Sequence, residues 1–344
     1  MKTKKITKET FSQPNAGEII LSLVKQGAEI SDDCKIELFD LPNAMDVLLE
    51  YLRHGGKLDA KMCYEFCDNM WDKVYKLPNI EEIVLELAKQ GITFVYWFQD
   101  EIFRLPNAEE IFLEYAKHGG FICGQALAKS CEFPTAEKIV LEQAKQGRIP
   151  TFFTELEKKI TQLNNAEEIF LEYAKHGCSF STEIQKKIAH LNNAEEVFLE
   201  YARHGGWICD NVQNEILNFG NAMEILLEYA KHGGWICDKV QNEIFDFLNA
   251  EEIFLEYVKH NKWINDEIQD LMYGLPNAKE IILEYVMHGG RVSDDYQDII
   301  FELPNAPEVV LEYVKHHPLC KNVKAEISKL PNADEILAEL KKFA

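Results

Sequence analysis

The sequence predicts an all-α protein, a stacked superhelix of about eleven two-helix repeats closed by a C-terminal half-repeat. Three observations predict it. First, an Asn-Ala anchor, usually after Leu-Pro or Leu-Asn, recurs at Asn15, Asn43, Asn107, Asn165, Asn193, Asn221, Asn249, Asn277, Asn305 and Asn332. Divergent copies stand at Asn79 and Thr135, and most spacings between anchors are 28 residues, the others being 36, 30 and 27. A fixed period of this length marks an array in which each unit contacts its neighbours. Second, every period holds two segments with apolar residues at helical spacing. Third, neither segment can bury its apolar side alone, so neighbouring units must stack. The expected organisation is a polar segment over 1–14, an array over 15–331 and a capping helix over 332–344.

The unit from Asn193 to Gly220, NAEEVFLEYARHGGWICDNVQNEILNFG, shows the logic of each element. Asn193 reads as a helix N-cap, with Glu196 three residues later completing a capping box. Ala194, Val197, Phe198, Tyr201 and Ala202 then fall on one face of helix A. Gly205 ends that helix, where a left-handed residue is wanted. Nine of the eleven full units have Gly there, the exceptions being Asn261, which also tolerates the left-handed region, and His317. Helix B starts after Cys209, with Ser31, Ser181, Asn265 and Ser293 at the same cap position elsewhere. Val212 and Ile216 form its apolar stripe, and the next Leu-Pro-Asn or Leu-Asn-Asn turn ends it. The expected lengths are about 12 residues for helix A and about 10 for helix B. The last half-unit, NADEILAELKKFA, ends in Lys341 and Lys342 and reads as a cap with a polar outer face.

This pattern resembles the α-solenoid class that includes HEAT, tetratricopeptide and leucine-rich-variant repeats. The resemblance covers residues 15 to 344. The unit is shorter than HEAT or tetratricopeptide units and lacks the tetratricopeptide Trp-Leu-Gly signature, so it points to the class and to no member family. What the resemblance implies is a binding scaffold whose helices B line a concave surface.

Net charge is −22, from 58 acidic and 36 basic residues. Such a surface repels phosphate and anionic membranes, and it attracts a basic protein or peptide. It also keeps a long exposed array soluble. The expected partner is therefore a protein or extended peptide of basic character, with no direct nucleic acid and no membrane. Nine cysteines without a paired framework, and no apolar leader, point to reduced thiols and a cytoplasmic location.

Repeats turn positions into ladders. In helix A a Tyr, as in Tyr201 and Tyr229, is followed three residues later by His, as in His204 and His232. Units without that Tyr carry Gln at the second position, so the two positions read as one structural unit. A metal or pH-switch role for the His ladder is weaker, since Gln replaces His and Gln ligates metal poorly. A Glu ladder, from Glu50 to Glu339, precedes the helix end; intrahelical support from the cation three residues on is the simple reading, and its constancy also suggests a fixed partner such as a backbone donor in the adjacent turn. On helix B, Gln185, Gln213, Gln241, Gln269 and Gln297 sit just after the apolar position. They are expected at the edge of the exposed face, either as a polar surface or as a grip on peptide backbone. Trp207, Trp235 and Trp263 occupy three consecutive turns and suit binding anchors as well as inter-repeat packing. The unit from Asn43 carries eight extra residues, with Tyr64, Phe66, Trp71 and Tyr75 as candidate contacts and Cys63 and Cys67 four apart.

No Gly-rich phosphate loop, Ser/His/Asp signature or Cys-x-x-Cys pair appears. The expected function is a binding scaffold with no catalytic residue, cofactor or metal. Two alternatives stand behind it: an acidic mimic of DNA that engages a nucleic-acid-binding protein, and an enzyme using a His/Glu site.

Overall fold

A computed structural model describes residues 5–58, 73–148, 154–261, 263–321 and 323–343. The chain divides into two compact units, Met1–Glu172 and Tyr173–Ala344. In both, helices A pack on one another in succession and form one layer. Ala108–Lys117 lies between Ile80–Lys89 and Ala136–Lys145 in the first unit, and Ala222–Lys231 lies between Ala194–Arg203 and Ala250–His260 in the second. Helices B form the other layer, with Asp210–Ile216 between Thr182–Ile188 and Asp238–Ile244. The fold is an α-solenoid of two-helix repeats.

The core runs between the layers. Val197, Phe198, Tyr201 and Ala202 of helix A meet Ile208, Val212 and Ile216 of the turn and helix B, all buried. The same columns are buried in the neighbouring repeats, through Ile225, Leu226 and Tyr229 and then Ile253, Phe254 and Tyr257.

Helix A is 10 residues and helix B is 7 in most repeats, both shorter than expected. The turns account for the difference. Leu-Asn-Asn-Ala is a closed turn before helix A, in which the Ala194 N–H donates to the Leu191 carbonyl over 3.2 Å. Asn193, at φ −102° and ψ 20°, takes the third position of that turn, and its side chain makes no cap bond. Pro in the Leu-Pro-Asn copies suits the second position of the same turn. The capping box is therefore corrected. The Asn amide instead reaches the preceding repeat, as Asn221 Nδ2 donates to the Glu195 carbonyl (3.3 Å) and Asn332 Nδ2 to the Pro307 carbonyl (2.7 Å).

Helix A ends as the glycines require. Gly205 sits at φ +70°, its N–H donates to the Ala202 carbonyl and the Gly206 N–H to the Tyr201 carbonyl. That pair of bonds is a Schellman end. Asn261 and His317 are not left-handed: both are extended, and helix A there runs one residue further, to His260 and His316. His317 instead reaches the Gly289 carbonyl of the preceding repeat at 2.9 Å.

The N-terminal segment is more than a polar lead-in. Lys5–Ile6 pairs in parallel with Glu29–Ile30, the turn of the first repeat, and Ile6 is fully buried. A short helix, Lys8–Phe11, follows. Helix B of the first repeat is a 3-10 helix over Asp32–Asp40, and the chain closes with helix Ala333–Leu340 and a 3-10 turn Lys341–Phe343. The inserted segment with Cys63, Tyr64, Phe66, Cys67 and Trp71 lies outside the described residues, as does Pro150.

Candidate binding surface

The expectation that the Gln ladder stands at an exposed edge is corrected by its burial. Gln185, Gln213, Gln241, Gln269 and Gln297 are at most 3% exposed. Gln213 shows why. Its Nε2 donates to the Ile208 carbonyl in its own turn (2.8 Å) and to the Trp235 carbonyl in the next (2.8 Å). Its Oε1 accepts the Cys237 N–H at 2.9 Å. Gln185 does the same with Phe180, Trp207 and Cys209, and Gln269 with Ile264, Arg291 and Ser293. An extended turn inside the stack has no helix partners for its N–H and C=O groups, and leaving them buried and unpaired is costly. One amide carries both donor and acceptor, so Gln suits the position. Gln241 is the partial member: Nε2 reaches the Ile236 carbonyl (2.6 Å) and the Tyr257 hydroxyl (3.2 Å), and its Oε1 has no partner among the described residues. Gln297 bridges to the Tyr313 hydroxyl and accepts the Cys320 N–H.

The Tyr ladder serves the same turns. The Tyr201 hydroxyl accepts the Phe180 N–H (3.2 Å), that of Tyr229 accepts the Ile208 N–H (3.3 Å) and that of Tyr285 accepts the Ile264 N–H (3.0 Å). Gln143, which stands where other repeats have Tyr, bonds the Ile122 N–H and the Gly120 carbonyl. Burial pushes the Tyr229 and Tyr285 phenols up to about 12. His204 and His232 face elsewhere. Each Nδ1–H donates to the carbonyl of the Glu four residues back, Glu200 and Glu228, at 2.9 Å. Tyr and His are thus separate devices: one closes the preceding turn, the other caps its own helix.

The Glu ladder finds its partner in the cation three residues on, as in Glu200–Arg203 at 2.8 Å and Glu228–Lys231 at 2.9 Å. The backbone donor expected for that ladder belongs to a different one, two residues after the Asn anchor. Glu195 accepts the Gly220 N–H (3.0 Å), Glu109 the Thr135 N–H (2.8 Å) and Glu137 the Asn164 N–H (3.2 Å). The signal was present in the sequence, since Glu81, Glu109, Glu137, Glu167, Glu195 and Glu251 share that position.

What remains outward is aromatic. Trp207 and Trp263 are each 55% exposed and Trp235 38%. Trp235 and Trp263 lie nearly parallel, with ring centroids 6.2 Å apart and planes at 20°. Trp235 also packs on the Tyr257 ring at 6.2 Å. In the first unit Tyr96 and Trp97 are exposed near the start of a helix B.

The described cysteines are free thiols. Cys209 and Cys237 are buried, and burial raises the Cys131 thiol to about 11 and also lifts Cys178 and Cys237. A raised thiol is a poor nucleophile. Among the described residues no group of three His, Cys, Asp or Glu is placed to hold a metal, and no helix is long and apolar enough to cross a membrane.

No protein-family model matches the chain, and no curated protein matches it. Among solved structures, one titled "Crystal Structure of PUF-8 in Complex with PBE-RNA" aligns over 91% of this chain and 94% of its own, at 13% identity and a TM-score of 0.23. The solenoid assignment rests on the helices and turns above, not on that likeness.

Proposed function

We propose that the protein is a non-catalytic scaffold that binds a basic protein segment through the tryptophan-bearing turns of its second unit. The observation that carries this reading is the exposure of Trp207, Trp235 and Trp263 on turns whose backbone is tied from below. The Gln185 and Gln213 amides hold the Trp207 and Trp235 carbonyls, so the indoles project from fixed backbone. Large, half-exposed aromatics on preorganised backbone lose little entropy on binding. The net charge of −22 favours a cationic partner and speeds its encounter. The Gln ladder enters as the support of the surface rather than as its contact.

The test is capture from native lysate at low and high salt by wild-type protein and by a Trp207→Ala, Trp235→Ala, Trp263→Ala variant of unchanged helicity. The expected result is a protein held by wild type through the high-salt wash and released by the variant. A set of proteins retained equally by both, or held only at low salt, would instead indicate attraction to bulk acidity, as a DNA mimic would show. Nucleic acid held by wild type and lost from the variant would replace the protein reading.

A further inference from the structure

The glutamine tie between successive turns is incomplete at one tryptophan, and the chain length of that turn gives the reason. Where helix A ends on a left-handed glycine, the helix B cap position stands eight residues after the ladder Tyr, as Cys209 after Tyr201 and Ser293 after Tyr285. The preceding Gln then accepts the N–H at that position, at 2.9 Å for Cys209 and Cys237 and 2.8 Å for Ser293. After Tyr313 helix A ends on the extended His317, the turn is one residue shorter, and Gln297 accepts the Cys320 N–H at 2.6 Å. The repeat of Tyr257 mixes the two. Its helix ends on the extended Asn261, whose amide takes the Tyr257 carbonyl at 3.1 Å, yet Asn265 stands the full eight residues on. The turn carries one residue more than its helix end accommodates, and Gln241 misses it. Its Oε1 is buried with no partner among the described residues, and its Nε2 reaches the Ile236 carbonyl and the Tyr257 hydroxyl instead of Trp263. Ile264 is held, by the Tyr285 hydroxyl and by Gln269, so the slack lies at Trp263 and just before it. There the indole lies on Trp235, with centroids 6.2 Å apart and planes at 20°. Among the described residues no such ring contact joins Trp207 to Trp235, where the tie is complete.

Resting on the scaffold reading, we infer that the indole face of Trp235 is a subsite for an aromatic side chain of the basic partner segment, and that Trp263 is its internal occupant in the free chain. The surplus residue lets Trp263 reach that face. Trp235 itself is fixed, because Gln213 holds its carbonyl at 2.8 Å. A partner ring replaces one aromatic contact with another of the same kind, within the offset-stacked range of about 4.5–7 Å. Once displaced, the Trp263 turn takes the register of its neighbours, and the Gln241 Oε1 gains the Asn265 N–H. Asn261 tolerates the left-handed backbone that this register requires. A buried unpaired acceptor is costly, so the new bond offsets the lost indole stack. The internal occupant lowers the apparent affinity by the fraction of chains in which the face is free. The net charge of −22 favours a cationic segment around the ring and opposes nucleic acid.

Two variants of the full chain remove the surplus by different routes. Deleting Lys262 gives the turn length that follows Tyr313, and Asn261→Gly with Lys262→Gly gives the ending of the glycine repeats. The stacked indoles should give a far-ultraviolet exciton couplet in wild type that is lost in Trp263→Phe. In both turn variants, at unchanged helicity, that couplet should collapse. Each should bind a lysine-rich peptide carrying one phenylalanine roughly three- to tenfold more tightly than wild type. Trp235→Ala should abolish that gain, and the leucine analogue of the peptide should show none. A couplet that survives both turn variants, no gain in affinity, or an equal gain for the leucine peptide overturns the inference. A single-stranded oligonucleotide that binds more tightly than the peptide overturns it too, since the face would then take nucleobases. If a lysate partner is lost from the triple Trp variant but held equally by wild type and both turn variants, the scaffold reading stands and this inference fails.

Discussion

A glutamine amide decides how the turn between the two helices is held. Gln213 satisfies two carbonyls and one N–H that are otherwise sealed in the stack, two of the three belonging to the next repeat. Replacing it with Leu keeps the volume and removes all three bonds, leaving the Trp235 carbonyl and the Cys237 N–H without this partner and the Ile208 carbonyl with the Tyr229 hydroxyl at 3.5 Å. At about 1 kcal/mol or more for each buried unpaired group, Gln213→Leu should cost about 2–3 kcal/mol. Gln241 is an internal control, because its Oε1 has no partner among the described residues and its Nε2 meets only Ile236 and Tyr257. Gln241→Leu should cost about 1–2 kcal/mol less than Gln213→Leu. Urea unfolding midpoints of the two variants check this, and equal losses would show that the bridge to the following turn contributes nothing. Burial of these amides was not legible in the sequence. A Gln beside an apolar position reads as a helix edge, and only the stacked turn, with its unpaired backbone, turns that edge into an interior.

At the scale of the helix, both boundaries were legible, with helix A starting right after the Asn anchor and helix B capped at Ser181 and Asn265, but the reason for the start of helix A was not. All nine glycines read as helix stops have positive φ, from Gly27 to Gly289, because the left-handed residue of a Schellman end leaves a strong mark in sequence. The Asn anchor misled, since Asn serves both as a cap and as a turn residue, and here the turn closes first and frees the amide for the preceding repeat. The second glycine of the His-Gly-Gly run has a different cause from the first. A Cβ on Gly206 would lie 2.2 Å from the Tyr201 ring, and Gly56, Gly120, Gly234 and Gly290 lie under a ring in the same way. The repeats without this Tyr carry Ala28, Ile92 and Arg148 there, while Cys178, Lys262 and Pro318 stand there after Tyr173, Tyr257 and Tyr313. Gly206→Ala should therefore destabilise by about 1–3 kcal/mol through overpacking. In a Tyr201→Leu background the same change should cost far less, giving a coupling energy that a double-mutant cycle reads directly. Additive losses would mean that the glycine answers to the backbone and not to the ring.

For the whole molecule, the tyrosine ladder links stability to alkaline pH in both units. Tyr115, Tyr229, Tyr257, Tyr285 and Tyr313 are buried at the turns, and burial raises every one of these phenols, Tyr229 and Tyr285 to about 12 from an ordinary 10.0. A folded-state value above the unfolded one means that the folded chain binds protons more tightly. The stability this contributes is fully present below pH 10 and is lost as pH rises from about 10 to about 12. In a solenoid each repeat leans on its neighbours, so ionising one phenol opens the turn that the preceding repeat shares. Phenolate absorbance of the ladder should rise together with loss of helical circular dichroism, in one steep transition within that window. A Tyr229→Phe, Tyr285→Phe variant should shift the transition to higher pH, because it removes two of the groups that must ionise while keeping their rings. Phenolates that appear near pH 10 with helicity intact would show that the turns admit charge and water, and that the ladder does not hold the array together.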